Sequence, residues 1–236
     1  MKLLANKQSE YLLILLVAAD LAFIAIGIVY ECGFLNLMDI CQAVSSNSYY
    51  ALTTDRSYSE FFQYIKEYWL IILFFLLAIE QNFKIYIGWC LLSIYILLDD
   101  AFQIHENVGL TIANKFNFIY AFNLRPEDYG ELIVFATVGT FFFLWLSFGY
   151  RLGNKRERKI IRNLIAILLG LAAFGVFADV VHIWFEKYPF LKSAIGIIED
   201  GGEHLVMSLF VYYVMSVMTG AQKKTGKSIE NYILPP

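Results

Sequence analysis

Long apolar runs constrain the fold of this chain more than any other feature. Of its 236 residues, 59% are hydrophobic and the mean hydropathy is +0.59, well above what is typical of a soluble domain. Several runs approach or exceed the roughly 18 to 20 apolar residues that cross a bilayer as a helix. Because backbone within lipid must satisfy its own hydrogen bonds, we predict an all-α, polytopic membrane helix bundle that forms a single domain over 1–236.

Six membrane spans can be assigned from these runs. They cover residues 11–31, 67–83, 85–106, 129–150, 161–185 and 193–219, and the longer outer loops cover 33–66 and 107–128. With this assignment, 12 of the 18 Lys and Arg residues lie on one side. The positive-inside rule then predicts cytoplasmic termini in a multi-pass protein of the cell membrane, most simply a bacterial inner membrane. The first run is too long for a cleaved signal peptide.

All three histidines lie in acidic clusters near the ends of apolar runs. The clusters cover 99–106, 179–182 and 199–204, and no Lys or Arg lies within any of them. Carboxylates and imidazoles beside membrane-spanning sequence are costly, so they require a partner or a function. At about 1.5 Å per residue, the three clusters reach a similar depth in the outer half of the bilayer. We therefore predict that they form one site for a cation or for protons.

Helical phase and residue chemistry suggest which side chains form this site. The predicted metal ligands are Asp179, His182, Glu203, His204, His105 and Glu106, and the predicted catalytic residues are Asp99, Asp100 and Glu199. His105 lies away from the arc of its own helix unless the helix end is distorted. Imidazole with carboxylate suits Zn²⁺, with Fe or Mn²⁺ as alternatives, better than Ca²⁺ or Mg²⁺. A zinc ion with an open position activates water for hydrolysis.

In its site chemistry the layout resembles the membrane hydrolases of the alkaline ceramidase and adiponectin-receptor superfamily, which place three histidines and an aspartate around a zinc within a helix bundle. The resemblance implies analogous roles for His105, His182 and His204, with Asp100 or Asp179. It covers no continuous stretch of sequence. This chain departs from the superfamily in having six predicted spans rather than seven, and single histidines rather than a paired-histidine motif in the last helix.

The leading functional hypothesis is a metal-dependent hydrolase that acts on a lipid or other amphiphile at the outer leaflet. The first alternative is a transporter or channel for divalent cations or protons that uses the same acidic cluster. The second is a membrane sensor or scaffold with a structural site. Membrane lipids are the expected partners. A homo-oligomer and a partner that binds loop 33–66 are further possibilities that the sequence allows. The sequence has no stripe of basic residues of the kind that binds a nucleic acid.

Two further points are left as alternatives by the sequence. Asp20 lies alone in the first span and is either a further proton site or part of a helix–helix hydrogen bond. Cys32 and Cys41 flank the start of the first outer loop and either form a disulfide in an oxidising compartment or stay free.

Overall fold

The computed structural model describes residues 7–35, 37–81, 85–121, 124–178 and 187–233. Within these ranges the chain forms helices and no strand. The α-helices are α1 (Lys7–Phe34), α2 (Gln42–Ser45), α3 (Tyr58–Gln81), α4 (Ile85–Phe102), α5 (Ile104–Phe116), α6 (Pro126–Leu152), α7 (Lys155–Ala172) and α8 (Pro189–Ile233). A π-helical stretch, Ala173–Ala178, follows α7 directly.

The predicted all-α fold is confirmed, and its helices fit a membrane protein. Within the described ranges, α1, α3, α4 and α6 are long and apolar enough to cross a membrane. α7 and α8 lie where the fifth and sixth spans were predicted. The count of six spans and the cytoplasmic termini stay predictions.

Both predicted outer loops contain helix. α3 begins at Tyr58, so residues 58–66 of the predicted loop 33–66 belong to a helix. α5 occupies the first part of the predicted loop 107–128. The start of α3 was missed because its first turns carry polar side chains that face protein. Such residues lower the mean hydropathy of a helix without ending it.

The helix bundle has an apolar half and an acidic half. The largest fully buried apolar side chains come from α3, α4, α7 and α8, namely Trp89, Phe74, Phe210, Leu70, Leu77, Ile161, Leu164, Met207, Val211 and Val214. The carboxylates lie in the first halves of α3, α6 and α8 and in the last turn of α4. We call this second half the acidic end of the bundle.

A sharp backbone break separates α4 from α5 at the acidic end. Gln103 has φ 51° and ψ 48°, a left-handed conformation that costs a non-glycine residue about 1 kcal/mol. After the break, α5 folds against α6 so closely that a Cβ on Gly130 would lie 2.0 Å from the carbonyl oxygen of Gly109. This break is the helix distortion that the sequence required for His105 to join the predicted site.

The two cysteines near the end of α1 are neighbouring free thiols. Cys32 belongs to the last turns of α1, and Cys41 lies in the 3-10 turn that follows. The hydrogen bond with the Cys32 thiol, together with burial, raises the pKa of Cys41. Of the two alternatives for this pair, the structure has the reduced one.

Candidate functional site

A cavity of about 920 Å³ lies at the acidic end, between α3, α4, α5, α6, α7 and α8. Eleven carboxylate side chains line it, namely Asp55, Glu60, Glu67, Asp99, Asp100, Glu106, Glu127, Glu131, Glu199, Asp200 and Glu203. Arg125 is the single Lys or Arg of its lining among the described residues, and it lies 2.8 Å from Asp128 and 3.6 Å from Glu127. This acidic cavity therefore carries a large excess of negative charge, which attracts cations.

The opposite end of the acidic cavity is apolar. Side chains of α6 and α7 supply most of this part of the lining, including Val138, Phe142, Leu146, Ile165 and Leu168. The volume is within the range of sites that bind small molecules. A ligand that fills the acidic cavity would meet carboxylates at one end and hydrocarbon at the other.

The acidic cavity brings together the predicted site residues that the structure describes. Its lining includes Asp99, Asp100, His105, Glu106, Glu199, Glu203 and His204. Asp179 and His182 lie outside the described residues. Within the described ranges, no group of three or more His, Cys, Asp or Glu side chains is arranged to hold a metal ion. The ligand and catalytic roles of these residues stay predictions.

His105 and Asp99 form a closely hydrogen-bonded pair at the α4–α5 break. The backbone N–H of His105 donates to Asp99 Oδ1 at 2.9 Å, and His105 Nδ1 lies 3.0 Å from Asp99 Oδ2. Burial disfavours charge on the imidazole, but the hydrogen bond and the charge of Asp99 outweigh it and raise the pKa of His105. Asp99 therefore fixes the orientation of the ring and stabilises its protonated form.

A buried cation beside the acidic cavity was missed by the sequence analysis. The Lys66 side chain is 0% exposed, and its Nζ lies 2.9 Å from Asp20 Oδ1. The same ammonium lies 3.1 Å from His204 Nδ1 and donates to the His204 carbonyl oxygen at 2.8 Å. Ser208 donates to the other carboxylate oxygen of Asp20 at 2.5 Å. Asp20 is therefore part of a helix–helix hydrogen bond, the second of its two alternatives.

The contacts of Lys66 determine how the His204 ring can act. An ammonium group has three hydrogens and no lone pair, so Nδ1 of His204 must accept the hydrogen bond from Lys66. The neutral ring then carries its own hydrogen on Nε2. His204 can therefore offer a hydrogen-bond donor, whereas a metal ion at Nε2 would first have to displace that hydrogen.

Residues of α3 were missed because they were assigned to a loop or a loop boundary. Lys66 is separated from Asp20 by 46 positions and from His204 by 138, so no local pattern connects them. The spacing of Gln63, Lys66 and Glu67 at three and four residues is nevertheless helical. Had the second span been extended back to Tyr58 as a helix, Gln63, Lys66 and Glu67 would have been predicted to lie on one helix face beside the acidic clusters.

Comparison with known proteins identifies a family. Comparison with curated proteins and with solved structures returns no match. A family model described as Domain of unknown function (DUF8692) matches residues 11–217. The matched range includes the whole lining of the acidic cavity, as well as Asp20 and Lys66. The chain therefore belongs to the DUF8692 family.

Proposed function

We propose that this protein is an integral membrane, metal-dependent hydrolase of a lipid or similar amphiphile. The observation that supports it best is the division of the acidic cavity into a carboxylate-rich end and an apolar end. A divalent cation would neutralise part of the carboxylate charge, which cannot all persist in a low dielectric without a cation or protons. The hydrocarbon of the substrate would occupy the apolar end, between α6 and α7.

His105 is the proposed general base of the reaction. Its Nδ1 is held by Asp99, so Nε2 is the ring nitrogen that can accept a proton from water. An imidazole held by a carboxylate is a recurrent arrangement for proton transfer. A bound metal ion would lower the pKa of a coordinated water toward about 7. Water attack on the scissile carbonyl or phosphoryl group would then place negative charge on an oxygen atom.

His204 is the proposed donor to that developing charge. Lys66 leaves the hydrogen of the neutral ring on Nε2, and His204 lines the acidic cavity. A fixed donor that meets charge as it develops is among the most effective contributions to catalysis. In this proposal His204 acts through Nε2–H, Lys66 holds its ring in that tautomer by donating to Nδ1, and Asp20 holds Lys66 in place.

Transport of cations or protons is the second candidate. Asp20 and Lys66 extend the polar cluster from the acidic cavity toward α1. Beyond them, however, most buried side chains of the described core are apolar, such as Phe74, Trp89 and Phe210, and none is charged. A pathway through the bundle would need polar groups along its whole length, so we rank transport below hydrolysis.

The test uses the purified full-length chain in lipid nanodiscs, stripped of metal and then supplied separately with Mg²⁺, Mn²⁺, Ca²⁺ or Zn²⁺. Amphiphiles with ester, amide and phosphodiester bonds are offered, and product release is measured by mass spectrometry. We expect metal-dependent hydrolysis of one bond class, reduced about 100-fold in His105→Gln. Glu10→Gln, an exposed acid near the start of α1, is the control. Failure of every substrate with every metal would refute the proposal.

A further inference from the structure

The acidic cavity contains buried oxygen atoms that have no hydrogen-bond partner. Within the described residues, both carboxylate oxygens of Glu67 and the amide oxygen of Gln63 lack one. Glu67 is 1% exposed and Gln63 is 6% exposed, and both line the acidic cavity. They lie four residues apart on α3, so their side chains share one face. Buried polar atoms without a protein partner are rare, and such atoms are met by a water, an ion, a ligand or a proton.

Among the described residues, the side chains nearest to Glu67 add negative charge and no hydrogen bond to its carboxylate. Asp100, at the end of α4, lies within hydrogen-bonding range of Glu67, and because two ionised carboxylates offer acceptors only, this contact requires a shared proton or a cation. Glu203 of α8 adds a third negative charge nearby. Lys66 is the neighbouring cation, and it directs its three hydrogen bonds to Asp20 and His204.

We propose that Gln63, Glu67 and Asp100 bind a hard divalent cation. Their side chains offer one amide oxygen and two carboxylates, a donor set that Mg²⁺, Ca²⁺ and Mn²⁺ favour and that contains no nitrogen or sulfur for Zn²⁺. Water or a substrate oxygen would complete the coordination. This site gives the proposed function a position and a chemical class for its metal ion. The catalytic use of the ion rests on the proposed function. Binding itself can be measured without any substrate.

Glu60 provides a matched control for Glu67. It lies on the same helix seven residues earlier and also lines the acidic cavity. Unlike Glu67, it has its own donors, because the Tyr64 hydroxyl donates to Oε1 at 2.5 Å and the backbone N–H of Arg56 donates to Oε2. Its carboxylate is therefore satisfied without a metal ion.

The experiment titrates Mn²⁺ into the metal-free, full-length protein in detergent and follows the signal of free Mn²⁺ by electron paramagnetic resonance. We expect one site in the wild type, weakened on the order of tenfold or more in Glu67→Gln and little changed in Glu60→Gln. Excess Mg²⁺ or Ca²⁺ should release the bound Mn²⁺. Without metal, Glu67→Gln should be at least as stable as the wild type, because it loses a buried charge without a partner. A lower stability without metal would indicate misfolding, and Asp100→Asn would then test the same site.

Three outcomes would overturn the site. They are no Mn²⁺ binding by the wild type, equal binding by Glu67→Gln, and proton uptake by the Glu67–Asp100 pair in place of the metal. Mn²⁺ binding without hydrolysis of any amphiphile would retain the site and refute the hydrolase. Metal-dependent hydrolysis that persists in Glu67→Gln would refute the site and retain the hydrolase.

Discussion

Replacing Lys66 by Met removes the buried ammonium while keeping most of the volume of the side chain. Asp20, which is 0% exposed, then retains Ser208 as its hydrogen-bond donor and the His204 ring, whose Nδ1 lies 3.6 Å from Oδ1, but loses the buried ammonium. Removing one partner of a buried ion pair typically costs about 3–5 kcal/mol. A second route to the magnitude is protonation of the orphaned carboxyl group. From an ordinary aspartate pKa of about 3.9, that costs about 4 kcal/mol at pH 7.

Both estimates of the lost stability are close to about 4 kcal/mol at pH 7. Because the second estimate assigns the loss to protonation of Asp20, it also predicts how the loss depends on pH. If Asp20 takes up a proton in the folded Lys66→Met variant, the folded state binds more protons than the unfolded state above about pH 4. The stability of the variant should therefore rise as the pH falls. The loss relative to wild type should shrink from about 4 kcal/mol at pH 7 to about 1.5 kcal/mol at pH 5.

The assay is reversible unfolding in mixed micelles, followed by tryptophan fluorescence. Adding Asp20→Asn to Lys66→Met removes the orphaned charge and should restore about 2 kcal/mol at pH 7, a coupling that independent sites would not show. Lys115→Met, at an exposed position of α5, should change stability by no more than about 0.5 kcal/mol. A Lys66→Met loss below about 1 kcal/mol, or one that does not depend on pH, would refute the account of the buried pair.

Three further predictions follow from the same structure. Because Asp99 raises the pKa of His105, the pair should stabilise the fold fully below about pH 6.5. That contribution should be lost as the pH rises through the raised pKa. The thermal midpoint, measured from about pH 5.5 to 9, should therefore fall in the wild type and not in His105→Gln. Gly130→Ala should cost about 1–3 kcal/mol by overpacking against α5, whereas Gly139→Ala, whose added Cβ meets nothing within 4 Å, should be neutral or stabilising in the same denaturation assay. Leu168→Trp should narrow the apolar end of the acidic cavity and shift hydrolysis toward shorter acyl chains; unchanged chain-length preference would contradict the assignment of that end to hydrocarbon.

The all-α class could be predicted because an apolar run of this length, when exposed to lipid, must satisfy its backbone hydrogen bonds internally, and a helix does so. The meeting of the acidic clusters 99–106 and 199–204 was also predictable, since depth follows from the rise per residue and from alternating helix direction, while the cluster 179–182 lies outside the described residues. The structure places Asp99, Glu199 and His204 in the lining of one cavity, although their functional roles stay predictions. The start of α3 and the helix in loop 107–128 were not predictable from mean hydropathy, because the helices there carry mixed polar faces.

His105 shows how a single backbone angle can change a prediction. A regular helix from 85 to 106 places this residue off the arc of Asp99. The left-handed conformation of Gln103 ends α4 and starts α5, so the imidazole returns to Asp99. No glycine or proline marks the break at that position, and the sequence therefore carries no strong local signal for it.

The sequence alone determined that carboxylates and histidines of this chain lie at the ends of long apolar runs and need compensating charge, because burying such groups in a low dielectric is costly whatever the fold. It also showed that no Lys or Arg within the clusters could supply that charge. Only the tertiary structure decided where it is supplied. Packing α1, α3 and α8 together brings Lys66 to Asp20 and His204, while Glu67 and Gln63 are left with oxygens that no donor reaches within the described residues. Partners this distant in sequence are selected by helix packing, and no local pattern records them.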